Sequence, residues 1–291
     1  MNDLKKLKID YENINASEEF KESVLAKAKK KHRFSVFTKS VAAAAATFVF
    51  ASVLALNVSP AFAKSVSEIP YLKEVVKVLT ASRYEFSDGN MEAEIVTPKI
   101  EGLLDKELED KLNNEFKENA NAIILGFERD YKELKKEFGD GTDIHMGINY
   151  NYEVKTDDDD IYAIDIYLFT AAGSSSTKHS FYTIDKKTHS LLTLDGLFKD
   201  KSYVDVISEY IKKEMKRLNE TEGGYFWVDS EFPEWDFTKI KDDQNFYINS
   251  DGKLVICFDK YDVAAGVQGS PEFVIPTEVI SNILKPVSFI K

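Results

Sequence analysis

Between Lys39 and Lys64 lie 24 consecutive residues without a charge, SVAAAAATFVFASVLALNVSPAFA. No other feature of this chain constrains its fold as strongly. A helix of about 20 apolar residues crosses the roughly 30 Å hydrocarbon core of a bilayer, whereas a buried helix of a globular domain seldom runs so far without a charge on its outer face. The run is Ala-rich and only modestly hydrophobic, but its flanks differ. KAKKKHRFSVFTK precedes it and acidic sequence soon follows, so the bias of Lys and Arg places the N-terminus in the cytoplasm and residues 64–291 outside. Residues 40–63 are expected to form one transmembrane helix.

The end of the run carries a second signal. Ala61-Phe62-Ala63 stands directly before Lys64, the small-x-small pattern of a signal peptidase site, and Pro60, which has no amide hydrogen, breaks the helix just ahead of it. An ordinary cleaved leader is the rival reading. Against it, nearly forty residues with their own helical pattern precede the apolar run. The expectation is an anchor that carries a cut site at Ala61, Ala63 and Lys64, with Ala63–Lys64 as the scissile bond.

The two sides of the run are different electrostatic objects. Residues 1–63 hold ten Lys+Arg and six Asp+Glu, a net +4, and residues 64–291 hold 28 and 44, a net −16, which together make the −12 of the chain. On the N-terminal side Leu4, Leu7, Tyr11 and Ile14 recur at helical spacing. A second helix follows, with Ser17 as N-cap, acids in its first turn, lysines in its last, and Phe20, Val24 and Ala28 along one face. About thirty residues cannot bury those stripes among themselves, so residues 1–38 are expected to dock on a partner or, alternatively, to lie on anionic lipid. On the other side, a net −16 argues against nucleic acid. It suits a cationic protein, peptide or polyamine, although acidity also serves solubility alone. The single cysteine, Cys257, rules out an internal disulfide.

Residues 64–80 read as an amphipathic connector and residues 81–291 as an extracytoplasmic α+β domain of antiparallel strands and packed helices, with room for two lobes near 81–140 and 141–291. A hairpin is predicted around Ser87-Asp88-Gly89-Asn90. Asp105–Phe138 has helical periodicity closed by Gly139. HMGINYNYEV, IYAIDIYLFTA, HSFYTID and SLLTL then follow as a meander broken at KTDDDD, AGSSSTK and DKKTH. Tyr203–Leu218 is helical, a hairpin turns on Ser250-Asp251-Gly252, EFVIP is a last strand, and Thr277–Leu284 closes the chain.

Catalytic chemistry is not legible. His145, His179 and His189 lack the spacing of a zinc site and read as solvated or edge-strand residues. No G-x-S-x-G elbow occurs. GSSST offers hydroxyls in a turn with no base beside them, and TDDDD lacks the alternation of a calcium loop. Cys257, among Leu254, Val255, Ile256 and Phe258, reads as a buried inert thiol. No metal or other cofactor is expected.

With this layout, DDQNFYINSDGKLVICFDKYDVAAGVQGSPEFVIP (242–276) resembles the C-terminal signature of the RsiV-like anti-sigma factors. MEAEIVTPKIEGL and FTAAGSSSTKHSFYTIDKKTHSLLTLDGLF resemble other ectodomain segments of that family. The resemblance implies a mechanism rather than a reaction. The cytoplasmic segment, here through Leu4, Leu7, Tyr11, Ile14, Phe20 and Val24, would hold an extracytoplasmic-function sigma factor at the membrane. The ectodomain would bind lysozyme outside, after which signal peptidase and then an intramembrane site-2 protease would release the sigma factor. Family ligand contacts carry over to Ser174, Ser175 and Ser176 and to Tyr261, Ala265, Val267 and Gln268. Ala265 and Val267 depart from the proline and tyrosine common in the second loop. The alternative is an exported peptidoglycan-associated enzyme or accessory domain, of the kind linked to deacetylases.

Overall fold

A computed structural model describes residues 76–139, 145–287 and 289–291. The cytoplasmic segment 1–38, the span 40–63 and the cut site lie outside the described residues. Among those described, no helix is long and apolar enough to cross a membrane.

The described part is α+β and built on two sheets. The larger has six strands in sequence order: β1 (Lys77–Asp88), β2 (Met91–Glu101), β3 (Met146–Asp157), β4 (Ile161–Ala172), β5 (Ser174–Asp185) and β6 (Ser190–Leu191). β1 starts at Lys77, inside the stretch read as connector. The predicted hairpin turns at Gly89, whose φ of 61° suits glycine. One pairing departs from the expected antiparallel pattern. β2 and β3 run parallel from Met91↔Met146 to Ile95↔Tyr150, and a parallel pair needs a crossover.

That crossover is α1 (Lys106–Phe138). Asp105 caps it by accepting the Leu108 amide, acids fill the first turn, Lys135 and Lys136 the last, and Gly139 ends it at φ 77°. Leu108, Leu112, Phe116, Ile123, Phe127 and Leu134 make one buried face, which packs on the sheet with Phe116 edge-on to Tyr182 (5.2 Å) and Phe127 to Phe86 (5.1 Å). Because β2 and β3 pair within one sheet, a lobe boundary near 140 would fall between hydrogen-bonded strands.

The second sheet is β7 (Phe246–Ile248), β8 (Leu254–Cys257) and β9 (Glu272–Ile275), antiparallel in the order 7-8-9. Tyr203, Ile207, Ile211 and Met215 of α2 (Ser202–Thr221) share one core with its residues and with Ile161 and Ala163 of β4. A helical turn, α3 (Thr277–Ile280), stops four residues short of the predicted Leu284. β4 is buried without a break from Ile161 to Ile166 because both its faces are covered. The sheets are tied by side chains that satisfy the open edge of β7: Thr156 Oγ1 donates to Ile248 O (2.7 Å) and Thr183 Oγ1 to Phe246 O (3.4 Å). Thr156, expected in the KTDDDD break between strands, is thus a buried strand residue.

Candidate functional site

Two segments nearly ninety residues apart meet at one end of the larger sheet. The first is the β4–β5 hairpin. Gly173, at φ 72°, makes the reversal alone. Ser174, Ser175 and Ser176, expected in a loop, therefore lie in β5 opposite Ala172, Ala171 and Thr170. The hydroxyl run stays in the ladder because one glycine at positive φ suffices for the turn.

The second segment runs from Asp259 to Ser270. The hydroxyls of Tyr261 and Ser174 share a hydrogen bond (3.2 Å), and Lys260 Nζ donates to Ser175 Oγ (2.7 Å) while lying 5.2 Å from the Tyr261 ring centre. Tyr261 stands at φ 74°, a conformation that costs a residue other than glycine about 1–3 kcal/mol. Gly266 explains how the ring fits. A Cβ there would sit 2.6 Å from the Tyr261 hydroxyl oxygen and 2.7 Å from Cζ. A short 3₁₀ turn, Gly266–Gln268, then lifts Val267 to 75% exposure, and Gln268 N–H donates to Ala265 O (2.9 Å). The structure thus joins Ser174 and Ser175 directly to the Lys260–Tyr261 corner. Val267 crowns the same loop, and Ser176 lies further along β5. A shallow open groove beside Ser174 is lined also by Asn90, Glu92, His145 and Gly147.

The loop is held by groups that sequence reasoning missed. Asp259, 2% exposed, accepts the His179 amide with Oδ1 (2.8 Å) and pairs through Oδ2 with Lys178 Nζ (2.9 Å). Asn245 completes the same edge of β5, its Nδ2 donating to His179 O (2.8 Å) and its Oδ1 accepting from Phe181 N (3.4 Å). The His179 ring, read as solvated or at an edge, is largely buried. Its Nδ1 lies 2.8 Å from Asp165 Oδ2 and its Nε2 3.0 Å from Ser270 Oγ. This order of partners is that of a serine hydrolase triad, and here it ties the far end of the loop, at Ser270, to β5 and through Asp165 to β4. Burial works against the charge of the imidazole, yet the hydrogen bond and charge of Asp165, reinforced by Asp259 and Glu272, hold its pKa above the usual value. Burial pushes the Asp165 carboxyl up, against the pull of His179. A signal for this pair was present: Asp165 is the one charged residue in IYAIDIYLFTAA, and the register sets it diagonally across from His179.

His189 Nδ1 donates to Gly102 O (2.7 Å), which removes it too from the solvated set, and His145 Nε2 lies 3.4 Å from Asn90 Nδ2. Cys257 is buried, and burial pushes its thiol well above the ordinary range.

An α+β domain with a parallel β2–α1–β3 crossover and a loop fastened across its β4–β5 hairpin end is the class the fold defines. A crystal structure of a DUF3298 family member from Bacteroides fragilis NCTC 9343 shares this fold at a TM-score of 0.54 and 14% identity, covering 74% of this chain and 96% of that one. Residues 195–278 match the model of the family described as "Protein of unknown function (DUF3298)". The chain belongs to the RsiV-like anti-sigma factors: it is 36% identical over 285 residues to anti-sigma-V factor RsiV of Bacillus subtilis strain 168, covering 97% of this chain and 96% of the relative. That kinship is with regulators of transcription rather than with enzymes.

Proposed function

We propose that the chain is a single-pass membrane anti-sigma factor that senses lysozyme. Residues 1–38 sequester an extracytoplasmic-function sigma factor in the cytoplasm through Leu4, Leu7, Tyr11, Ile14, Phe20 and Val24. Residues 40–63 cross the membrane. The outer domain binds the cationic ligand, signal peptidase then cuts at Ala63–Lys64, and a site-2 protease acting within the membrane frees the sigma factor.

Similarity to an anti-sigma factor along nearly the whole chain supports the sequestering role. The sensing role rests on one observation: Ser174 and Ser175 meet Tyr261 and Lys260, so two segments distant in sequence form one exposed surface. A net −16 on the domain beyond the span favours a cationic ligand. Binding leaves the sheets intact in this reading; the surface is rigid enough to be met as it stands.

The test is a blot of C-terminally tagged protein from cells with and without hen egg-white lysozyme, read beside a sigma-dependent reporter. Full-length protein at rest, and a fragment cut near Ala63 only after exposure, is the expected result. Cleavage that ignores lysozyme would refute the sensing role. For the cytoplasmic half, Leu7→Asp with Phe20→Asp should switch the reporter on without ligand, and an unchanged reporter would refute sequestration.

A further inference from the structure

Beside the Val267 loop lies a segment with an unusual composition. Residues 219–238 contain six acids and six aromatic residues and no Lys, Arg or His. The chain at 225–227 runs antiparallel to 263–265: Phe226 bridges Ala264, Ala265 N–H donates to Tyr225 O (3.0 Å), and Trp227 N–H to Val263 O (2.9 Å). The following turn is tightly specified. Ser230 N–H donates to both Asp236 carboxylate oxygens (3.2 Å each), Phe232 N–H to Ser230 Oγ (3.1 Å), Trp235 N–H to Phe232 O (3.0 Å) and Phe237 N–H to Trp227 O (2.8 Å).

This rigid turn holds aromatic rings out of the core. Phe232 and Trp235 stack at 5.1 Å, Trp227 adjoins Trp235 at 5.8 Å, and Tyr225, Phe232 and Trp235 are 61%, 51% and 54% exposed. Large rings presented together on a fixed backbone mark an interaction surface. Glu231 and Glu234, both exposed, flank them and have no ion pair among the described residues, whereas Asp229 pairs with Lys216 (2.5 Å).

Aromatic faces and free carboxylates within one turn select a particular chemistry. A guanidinium stacks flat on a ring while its edge pairs with a carboxylate, which an ammonium does less well. A neutral sugar would use the rings and gain nothing from the charges, and a nucleic acid or anionic lipid would be repelled. We propose that Tyr225, Phe232 and Trp235, with Glu231 and Glu234, form a second contact patch, continuous with the Val267 loop, that takes arginine side chains of a cationic protein. The identity of that protein rests on the ligand reading above; the arginine preference does not.

The test uses the full-length chain in detergent and three probes: nona-arginine, nona-lysine and hen egg-white lysozyme. Tryptophan fluorescence reports the patch directly. Nona-arginine should bind several-fold more tightly than nona-lysine, and Phe232→Ser with Trp235→Ser should weaken both nona-arginine and lysozyme about tenfold or more with an unchanged thermal midpoint. Glu231→Gln with Glu234→Gln should weaken them less as salt rises, because exposed pairs are screened. Equal affinity for the two peptides, or lysozyme binding untouched by both patch variants, would overturn the inference, as would chitohexaose saturating the tryptophan signal where nona-arginine does not. Val267→Asp separates the two readings: loss of lysozyme binding there with intact patch variants sinks the patch alone, while patch-dependent nona-arginine binding without any lysozyme binding sinks the ligand reading alone.

Discussion

His179→Ala tests whether the buried acid beneath the Asp259–Ser270 loop needs its histidine. The substitution removes the partner of Asp165 Oδ2, and Oδ1 already has no hydrogen-bond partner among the described residues. Asp165 is 3% exposed, so the change strands a carboxylate inside the protein, which costs about 3–5 kcal/mol. Lys155 also lowers the Asp165 pKa through its charge, so the lower end of that range is expected, about 3 kcal/mol. For a domain of this size that is a fall of about 6–12 °C in the thermal midpoint. The loss should depend on pH. Burial already raises the folded-state pKa of Asp165, so at low pH the stranded acid takes up a proton and the penalty shrinks, while at pH 8 it is felt in full. In the parent protein the folded pKa of His179 lies above its unfolded value, so its stabilisation is fully present below pH ~6.5 and is lost as pH rises through the folded value. The measurement is urea unfolding of the parent, His179→Ala and His179→Ala with Asp165→Asn at pH 5 and 8. The double variant should recover at least half of the loss at pH 8. Because the two pH trends oppose one another in the single variant, the double variant decides: if it is no more stable than the single variant at pH 8, stranded charge is not the cause.

Gly266→Ala should displace the Tyr261 ring, whose atoms occupy the space of the new Cβ. Because the ring is 42% exposed, stability should fall by less than about 1 kcal/mol, while lysozyme binding measured by titration calorimetry falls about tenfold or more; unchanged binding would detach Tyr261 from the ligand surface. Phe116→Ala, at a site with no exposure and edge-on to Tyr182, should cost about 3–5 kcal/mol, read as a lower urea midpoint at constant slope. Cys257, buried and with its thiol pKa raised, should stay unreactive to Ellman's reagent at pH 8 until guanidinium unfolds the chain, then titrate as one equivalent. Rapid labelling of the native protein would contradict that burial.

Much of the domain was legible because its signals are local. The period of α1, its Asp105 cap and its Gly139 stop all act within a few residues, and so do the turns at Gly89 and Gly252. The parallel β2–β3 pairing was not legible, since both strands alternate as hairpin strands do and only the burial of α1 against the sheet selects the crossover. Ser174–Ser176 misled for a related reason: a hydroxyl run beside glycine has the composition of a loop, yet one residue at positive φ completes the reversal and leaves the serines hydrogen-bonded. Of the candidate ligand residues, a position list could name Ser174 and Tyr261, but their contact depends on how the second sheet docks beside β5 through β7.

That docking explains why the surface is fixed rather than floppy. A strand such as β5 whose outer edge is only briefly covered by β6 leaves amides and carbonyls in want of partners. Here side chains supply them. Asp259 takes the His179 amide, and Asn245 takes the His179 carbonyl and the Phe181 amide. These two residues stand at the start of the Asp259–Ser270 loop and just before β7, so the groups that close the edge of one sheet also set where the loop leaves the other. His179 adds the third point by reaching Ser270 at the loop's far end. The loop from Asp259 to Ser270 is therefore pinned at both ends to the strand that carries Ser174 and Ser175. A ligand that bridges the two segments meets a preorganised surface, and little ordering entropy is left to oppose its binding.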